Sequence, residues 1–366
     1  MYDTQASPEP TSAAQHGSGA LWIVLASATL LVVCATAAMV LFTKNHMPVD
    51  GRTVLLTGAS EGMGRSAARQ LAAKGANLIL VARNVTKLEE AVAEVQAAAK
   101  SPQTQRFRYI AADVSEHDYA ERVVAEATVW NGGRAPDIVW CVAGLATPLL
   151  WAEARDAVAA ARRNMDVNYF GAADMSAAIL RAWLAPGDGP APGPASEPRH
   201  LVFTASVLAL LGMLGYAPYA PSKWALRGLA DTLAQEVLLY PDHPVRVHLV
   251  CPGTITSPGL ERENRTKPEI TMELEKDEPP QTPDAVAQKA IAGLERGNYV
   301  VSVSLLGELM RSAAVLGGSP KNNWVVDLLL GWVVSFAYFF ILWDMNGKVG
   351  AWAKKHGHPS TYGKKD

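Results

Sequence analysis

The sequence predicts an α/β domain in which helices cover both faces of a doubly wound parallel sheet. Short apolar runs rich in β-branched residues recur along the chain, beginning with TVLLT at 53–57. Helical patterns separate these runs, and near-continuous apolar runs are typical of strands buried on both faces. Among the 366 residues, 49% are hydrophobic and 19% charged, which excludes a disordered chain.

Seven runs predict the strands: 53–57, 77–82, 107–112, 137–143, 201–206, 245–251 and 299–304. The pattern SAARQLAAK predicts the first helix, which ends at Gly75, and Asn84 is placed to cap the second. These alternating elements predict one domain from 51 to 305. A Pro/Gly-rich stretch at 185–199 predicts a surface insertion within it.

The amino-terminal region predicts a membrane anchor. Residues 1–19 are rich in Ser, Ala and Pro and predict a disordered tail, whereas 20–43 carries no charge. An apolar helix of about 20 residues crosses the hydrocarbon core, so this segment predicts a transmembrane helix. A cleaved signal peptide is the alternative, although no basic residue precedes the segment. Lys44 and Arg52 follow it, and the positive-inside tendency places the domain in the cytoplasm.

The carboxyl-terminal region predicts a membrane-associated segment at 306–346, followed by a basic tail at 347–366. Trp324 to Trp343 is mostly apolar and aromatic, which suits a membrane interface. A re-entrant or hairpin insertion would return the basic tail to the cytoplasm. A buried aromatic core helix is the alternative.

Charge and cysteine content exclude several classes of protein. A formal net charge of −2 gives no basic excess for binding nucleic acid. The three cysteines are far apart, and neither they nor the eight histidines have the spacing of metal ligands. We therefore expect no metal site and no nucleic-acid partner, while a homo-oligomer is compatible with the sequence.

A glycine-rich loop follows the first predicted strand and precedes the first helix. It contains Gly58, Ser60, Gly62 and Gly64. Glycines at such a turn allow the backbone to approach a pyrophosphate, and the helix start offers free N–H groups to the phosphates. This placement predicts a Rossmann-type dinucleotide site.

Two cations follow the second predicted strand, where folds that bind NAD place an acidic residue. Arg83 and Lys87 occupy this region and favour the 2′-phosphate of NADPH. Two solvated residues at a helix start are the alternative. Asp113, at the end of the third strand, is positioned to contact adenine or to cap a helix.

Ser206, Tyr219 and Lys223 form the candidate catalytic set. Tyr219 and Lys223 are four residues apart and share one helix face. We expect an ammonium about 4 Å from the phenol to lower its pKa by roughly three units, toward the range of general acid–base catalysis. Ser206 at a strand end is placed to bind a carbonyl oxygen, and Asn168 to hold a water that links Lys223 to solvent.

These motifs resemble those of the short-chain dehydrogenase/reductase superfamily over residues 51–305. The resemblance rests on 57–64, Asn168, Ser206, 219–223 and Pro252-Gly253. It implies that Tyr219 donates the proton, with Ser206 and Lys223 completing a triad and Asn168 a relay. The segment Cys141-Val142-Ala143-Gly144 departs from the usual Asn-Asn-Ala-Gly, but Gly144 still allows the approach to the cofactor.

Within the superfamily, the chain resembles the fungal 3-ketodihydrosphingosine reductases at 58–62, 81–84, 252–271 and the aromatic carboxyl-terminal segment. The resemblance implies NADPH-dependent reduction of 3-oxosphinganine to sphinganine at the endoplasmic reticulum membrane, on the cytoplasmic side. It implies nucleotide contacts at Gly58, Ser60, Glu61, Gly62, Arg83, Lys87 and Asp113, with Glu61 acting through its backbone.

The alternatives are a membrane-bound reductase of very-long-chain 3-oxoacyl-CoA or a steroid, and a cofactor-sensing scaffold without activity. Residues 254–278 hold four basic residues against seven acidic ones, which disfavours a CoA ester. One of these acids could contact the ammonium of an amino ketone. A solvated loop and helix face is the alternative explanation.

Overall fold

The computed structural model describes residues 44–185, 197–276, 278–314 and 321–356. The predicted tail at 1–19, the predicted anchor at 20–43 and most of the predicted insertion lie outside the described residues. The basic tail is described only as far as His356.

The strands are β1 (Thr53–Thr57), β2 (Asn77–Ala82), β3 (Phe107–Ala111), β4 (Ile138–Cys141), β5 (Arg199–Thr204), β6 (Val245–Cys251) and β7 (Val300–Ser302). They form one sheet in the order β3-β2-β1-β4-β5-β6-β7, and every neighbouring pair is parallel. The strand order reverses between β1 and β4, where folds of this type open a crevice for ligands. The predicted doubly wound parallel sheet is confirmed.

The helices are α1 (Gly62–Ala73), α2 (Val85–Ala97), α3 (Tyr119–Trp130), α4 (Ala157–Met165), α5 (Gly171–Leu184), α6 (Ala220–Glu236), α7 (Pro258–Asn264), α8 (Glu269–Glu275), α9 (Pro283–Glu295), α10 (Leu305–Ala314) and α11 (Trp324–His356). A π-helical turn, Asp166–Phe170, joins α4 to α5. The side chain of Asn84 accepts a hydrogen bond from the backbone N–H of Lys87, as predicted for the cap of α2.

Alternate residues of each strand point to the two faces of the sheet. On one face, Leu55 and Val139 pack with buried residues of α3, α5 and α6. On the other, Val54 and Ile138 pack with buried residues of α1, α2 and α9. Two helical layers therefore bury the central strands on both faces of the sheet. The carboxyl ends of these strands remain as the edge where chemistry can take place.

Two histidines are buried on β5 and β6, away from that edge. His248 Nδ1 lies 2.8 Å from the carbonyl oxygen of Asn298, and its Nε2 lies 2.9 Å from His200 Nδ1. At the end of this hydrogen-bonded series, His200 Nε2 has no hydrogen-bond partner among the residues that the structure describes. Burial lowers the pKa of His248 to about 4 and holds that of His200 well below its ordinary value, so both rings are neutral.

Helix α11 is anchored to the domain at its first turns. Arg311 on α10 and Asp327 on α11 are both buried and form an ion pair of 2.8 Å. Asp327 also accepts the backbone N–H of Asn322, whose side chain in turn accepts the N–H of Tyr299. These contacts join the base of α11 to the start of β7.

Helix α11 is continuous over 33 residues and includes the whole stretch from Trp324 to Trp343, while the re-entrant or hairpin insertion of 306–346 into a membrane stays a prediction. The alternative of a buried core helix is wrong, because large apolar side chains are exposed along α11: Trp324, Leu328, Leu329, Trp332, Val333, Phe336, Phe340 and Trp343. Among the residues that the structure describes, no helix is both long and apolar enough to pass through a bilayer.

Candidate active site

The loop between β1 and α1 requires glycine at two positions. Gly58 has a φ of +68°, and a Cβ there would lie 2.6 Å from the backbone nitrogen of Ala143. A Cβ on Gly64 would lie 2.2 Å from the carbonyl oxygen of Gly58. Helix α1 begins at Gly62, and its first N–H groups face the turn. The loop thus fits the predicted pyrophosphate-binding role, with Ser60 buried inside it.

The cations predicted to bind the 2′-phosphate lie together beyond β2, each with a carboxylate partner. Arg83 Nη1 is 3.4 Å from Asp113 Oδ2, and Lys87 Nζ is 2.8 Å from Glu61 Oε2. Arg262 on α7 also binds Glu61, a cation that sequence reasoning missed because no local pattern connects it to this region. Burial would raise the pKa of Glu61, but hydrogen bonds from Arg262 and Lys87 hold it below its ordinary value. The side chain of Glu61 is therefore part of this charge cluster, whereas only its backbone was expected to contribute.

Ser206 and Tyr219 come together at the carboxyl end of the central strands. Ser206 follows β5, and its hydroxyl accepts a hydrogen bond from the N–H of Leu208 at 3.1 Å. Tyr219 precedes the first residue of α6, with Pro221 in the first turn, where no helical N–H bond is lost. The Ser206 hydroxyl lies close enough to Tyr219 to lower the pKa of the phenol, although burial raises that pKa more strongly. Two hydroxyls placed in this way can hold one carbonyl oxygen between them.

Lys223 lies one helical turn from Tyr219 and is 3% exposed. Its Nζ donates to the carbonyl oxygen of Thr204 at 2.9 Å and lies 5.7 Å from the centroid of the Tyr219 ring. The predicted lowering of the phenol's pKa is wrong for this structure. Burial raises the pKa of Tyr219, and burial lowers the pKa of Lys223 to about 8, because both groups lose hydration that favours their charged forms.

Asn168 lies on the π-helical turn and is fully buried. Its Oδ1 accepts the N–H of Leu145 at 2.8 Å, and its Nδ2 donates to the Leu145 carbonyl and to Ser222 Oγ, both at 2.9 Å. A Cβ on Gly144 would lie 3.1 Å from Asn168 Oδ1 and 3.4 Å from Lys223 Nζ. Asn168 therefore joins the loop after β4 to α6 beside Lys223, and its part in a proton relay stays a prediction.

An apolar groove of about 670 Å³ opens beside α6. Most of its lining is apolar and includes Leu149, Leu150, Trp151, Met213, Leu214 and Trp224. This volume lies within the range of about 300–1,000 Å³ that is typical of small-molecule sites. Sequence reasoning missed the groove, because its walls come from two loops and the start of α6, which share no motif.

Comparisons with known proteins agree with this geometry. Residues 52–268 match the family model described as short chain dehydrogenase. The chain is 65% identical to a 3-ketodihydrosphingosine reductase of Neurospora crassa over 94% of both chains. It is 41% identical to one of Aspergillus fumigatus, over 91% of this chain and 93% of the relative. A short-chain dehydrogenase/reductase structure from Mycobacterium ulcerans superposes with a TM-score of 0.58, at 24% identity over 70% of this chain and 90% of that one.

Proposed function

The chain belongs to the short chain dehydrogenase family, and we propose that it reduces the ketone of 3-ketodihydrosphingosine to an alcohol in sphingolipid synthesis. The observation that carries this proposal is the position of Tyr219 beside Ser206 and Lys223, at the same edge of the sheet as the glycine-rich loop. The substrate in this proposal is taken from the names of the two fungal reductases to which the chain is similar.

Each residue of the site has a different role in the reduction of the ketone. The hydroxyl of Ser206 orients the ketone by donating to its oxygen, and Tyr219 donates the proton that this oxygen takes up. Burial raises the pKa of Tyr219, so the phenol is protonated at neutral pH, which is the form that reduction needs. Lys223 holds a positive charge behind the phenol and stabilises the phenolate left after proton transfer. A bound nicotinamide cofactor supplies the hydride.

The cofactor in this proposal is NADPH. The pyrophosphate fits against Gly58 and Gly64, where any side chain would block the backbone. Arg83 and Lys87 favour a 2′-phosphate over a free ribose hydroxyl, since a dianion can replace the carboxylates that now pair with them.

The direct test measures NADPH oxidation by detergent-solubilised protein with 3-ketodihydrosphingosine, beside a 3-oxoacyl-CoA. We expect turnover with the amino ketone and a loss of about 10²–10⁴-fold in Tyr219→Phe, while NADPH binding persists. Turnover with the CoA ester alone would transfer the substrate assignment to the other class of ketone. Appreciable activity in Tyr219→Phe would refute the role of the phenol.

The location in this proposal is the endoplasmic reticulum membrane, with the domain on the cytoplasmic side. The apolar segment at 20–43, followed by Lys44 and Arg52, supports it, and so do the exposed Trp332, Phe336 and Trp343 of α11. We expect the full-length protein to sediment with microsomes and its domain to be digested by added protease without detergent. Protection of the domain until detergent is added would reverse the orientation.

A further inference from the structure

Four titratable side chains form a cluster beside the catalytic tyrosine, which we call the lid cluster: Tyr216, Glu263, Lys267 and Glu275. The hydroxyl of Tyr216 lies 2.5 Å from Glu263 Oε1 and 2.6 Å from Glu275 Oε1. Lys267 Nζ lies 2.9 Å from Glu263 Oε1 and 2.7 Å from Glu275 Oε2. Both acids belong to the region after Pro252-Gly253, on α7 and on α8.

The lid cluster carries one more negative charge than positive charge. The side chain of Lys267 is 2% exposed, and those of Glu263 and Glu275 are 17% and 18% exposed, so solvent screens the excess charge weakly. The cluster is also short of a hydrogen. Tyr216 has one hydroxyl hydrogen to donate, yet two carboxylate oxygens lie within hydrogen-bond distance of it. A group that brings both a positive charge and hydrogens would complete the cluster.

The lid cluster lies where the polar end of a substrate would be. The rings of Tyr216 and Tyr219 are 5.8 Å apart between centroids. Burial raises the pKa of Tyr219 and the charge of Glu263 raises it further, which places this carboxylate within electrostatic range of the reacting hydroxyl. Tyr216 also lines the apolar groove, so the groove and the lid cluster meet at one residue.

We propose that the lid cluster binds the ammonium group next to the substrate ketone, with Glu263 and Glu275 as the specificity-determining residues. This inference rests on the proposed function, because the amine of 3-ketodihydrosphingosine is on the carbon adjacent to the carbonyl. With the carbonyl oxygen held by Ser206 and Tyr219, the ammonium reaches the carboxylates and the hydrocarbon chain follows the groove. A ketone without an amino group leaves the excess negative charge of the lid cluster unpaired, and the same charge repels an anionic CoA ester.

The test compares kcat/KM for two substrates: 3-ketodihydrosphingosine and the same chain with hydrogen in place of the amino group. We expect the native protein to favour the amino ketone by about tenfold to a hundredfold, the range for a hydrogen bond to a charged group. Glu263→Gln and Glu275→Gln should each lower this ratio toward one by losing rate with the amino ketone only. Glu273→Gln is the matched control, since Glu273 lies on the same helix α8 but pairs with Lys276 outside the lid cluster.

The outcomes separate the two levels of the proposal. If the native protein reduces neither ketone, the proposed function fails. If it reduces both equally well, or if both glutamine variants keep the preference, the function stands and the ammonium site is refuted. Thermal unfolding and fluorescence titration with NADPH show whether each variant is folded. If a variant is not folded, the ratio of kcat/KM for the two ketones in the native protein still tests the ammonium site.

Discussion

The buried lysine of the active site predicts an alkaline limit to the reaction. Burial lowers the pKa of Lys223 to about 8. The stabilising form is the ammonium, which dominates below this pKa and is lost above it. Each pH unit above the pKa leaves about a tenth of the previous ammonium fraction, so we expect kcat/KM to be level up to about pH 7.5 and to fall about tenfold between pH 9 and pH 10.

The assay is steady-state NADPH oxidation with 3-ketodihydrosphingosine across pH 6 to 10, with circular dichroism at each pH as a control for folding. Because kcat/KM reports ionisations of the free enzyme and of the free substrate, the profile is also measured with the ketone that lacks the amino group, and with that substrate the limb should have a midpoint near the pKa of Lys223. The variant Lys223→Arg keeps its charge throughout this range. Its rate will be lower, since a planar guanidinium fits the position of an ammonium poorly, but its alkaline limb should disappear.

Two results would refute this reasoning. A level profile to pH 10 in folded native protein would mean that the charge on Lys223 does not assist the reaction. An unchanged limb in Lys223→Arg would assign the ionisation to another group.

Three further predictions concern the cofactor, the carboxyl-terminal helix and acid stability. Arg83→Asp should shift the ratio of kcat/KM for NADPH and NADH toward NADH, because a carboxylate repels the 2′-phosphate; an unchanged ratio would place the recognition elsewhere. Asp327→Ala leaves the buried Arg311 with the more exposed Glu308 as its remaining carboxylate partner and should lower the free energy of unfolding by roughly 1.5–3 kcal/mol in urea titrations; a loss below about 1 kcal/mol would contradict the anchoring of α11. The unfolded chain protonates His200 and His248 near pH 6.5, whereas the folded pKa of His248 is about 4, so unfolding should become easier as pH falls below 6.5. Over pH 7 to 4 this histidine alone accounts for about 3 kcal/mol, and a variant His248→Gln that keeps the full acid sensitivity would argue against it.

The limits of β1, β2 and β6 were predicted to the residue. The fifth was predicted at 201–206 but spans Arg199–Thr204. His200 belongs to it because its ring is buried against His248, a tertiary contact that hydropathy does not reveal. Ser206 consequently lies beyond the strand, free to turn its hydroxyl toward Tyr219.

The proximity of Ser206, Tyr219 and Lys223 could be predicted because helix geometry and strand ends place them without knowledge of the whole fold. Their ionisation could not, since burial is a property of the assembled domain and outweighs the expected effect of Lys223 on its neighbour. The lid cluster shows the same limit. Tyr216 lies 47 and 59 residues from the two acids that it contacts, so no spacing in the sequence connects them.

The π-helical turn at Asp166–Phe170 determines how the chain tolerates a change of length at this point. Such a turn holds one residue more than an α-helical turn. Deleting a residue there would permit α4 and α5 to run on as one regular α-helix, but each residue of an α-helix turns the chain by about 100°. The amide of Asn168 would rotate away from Leu145 and Ser222, so a more regular helix would leave the floor of the active site unsupported.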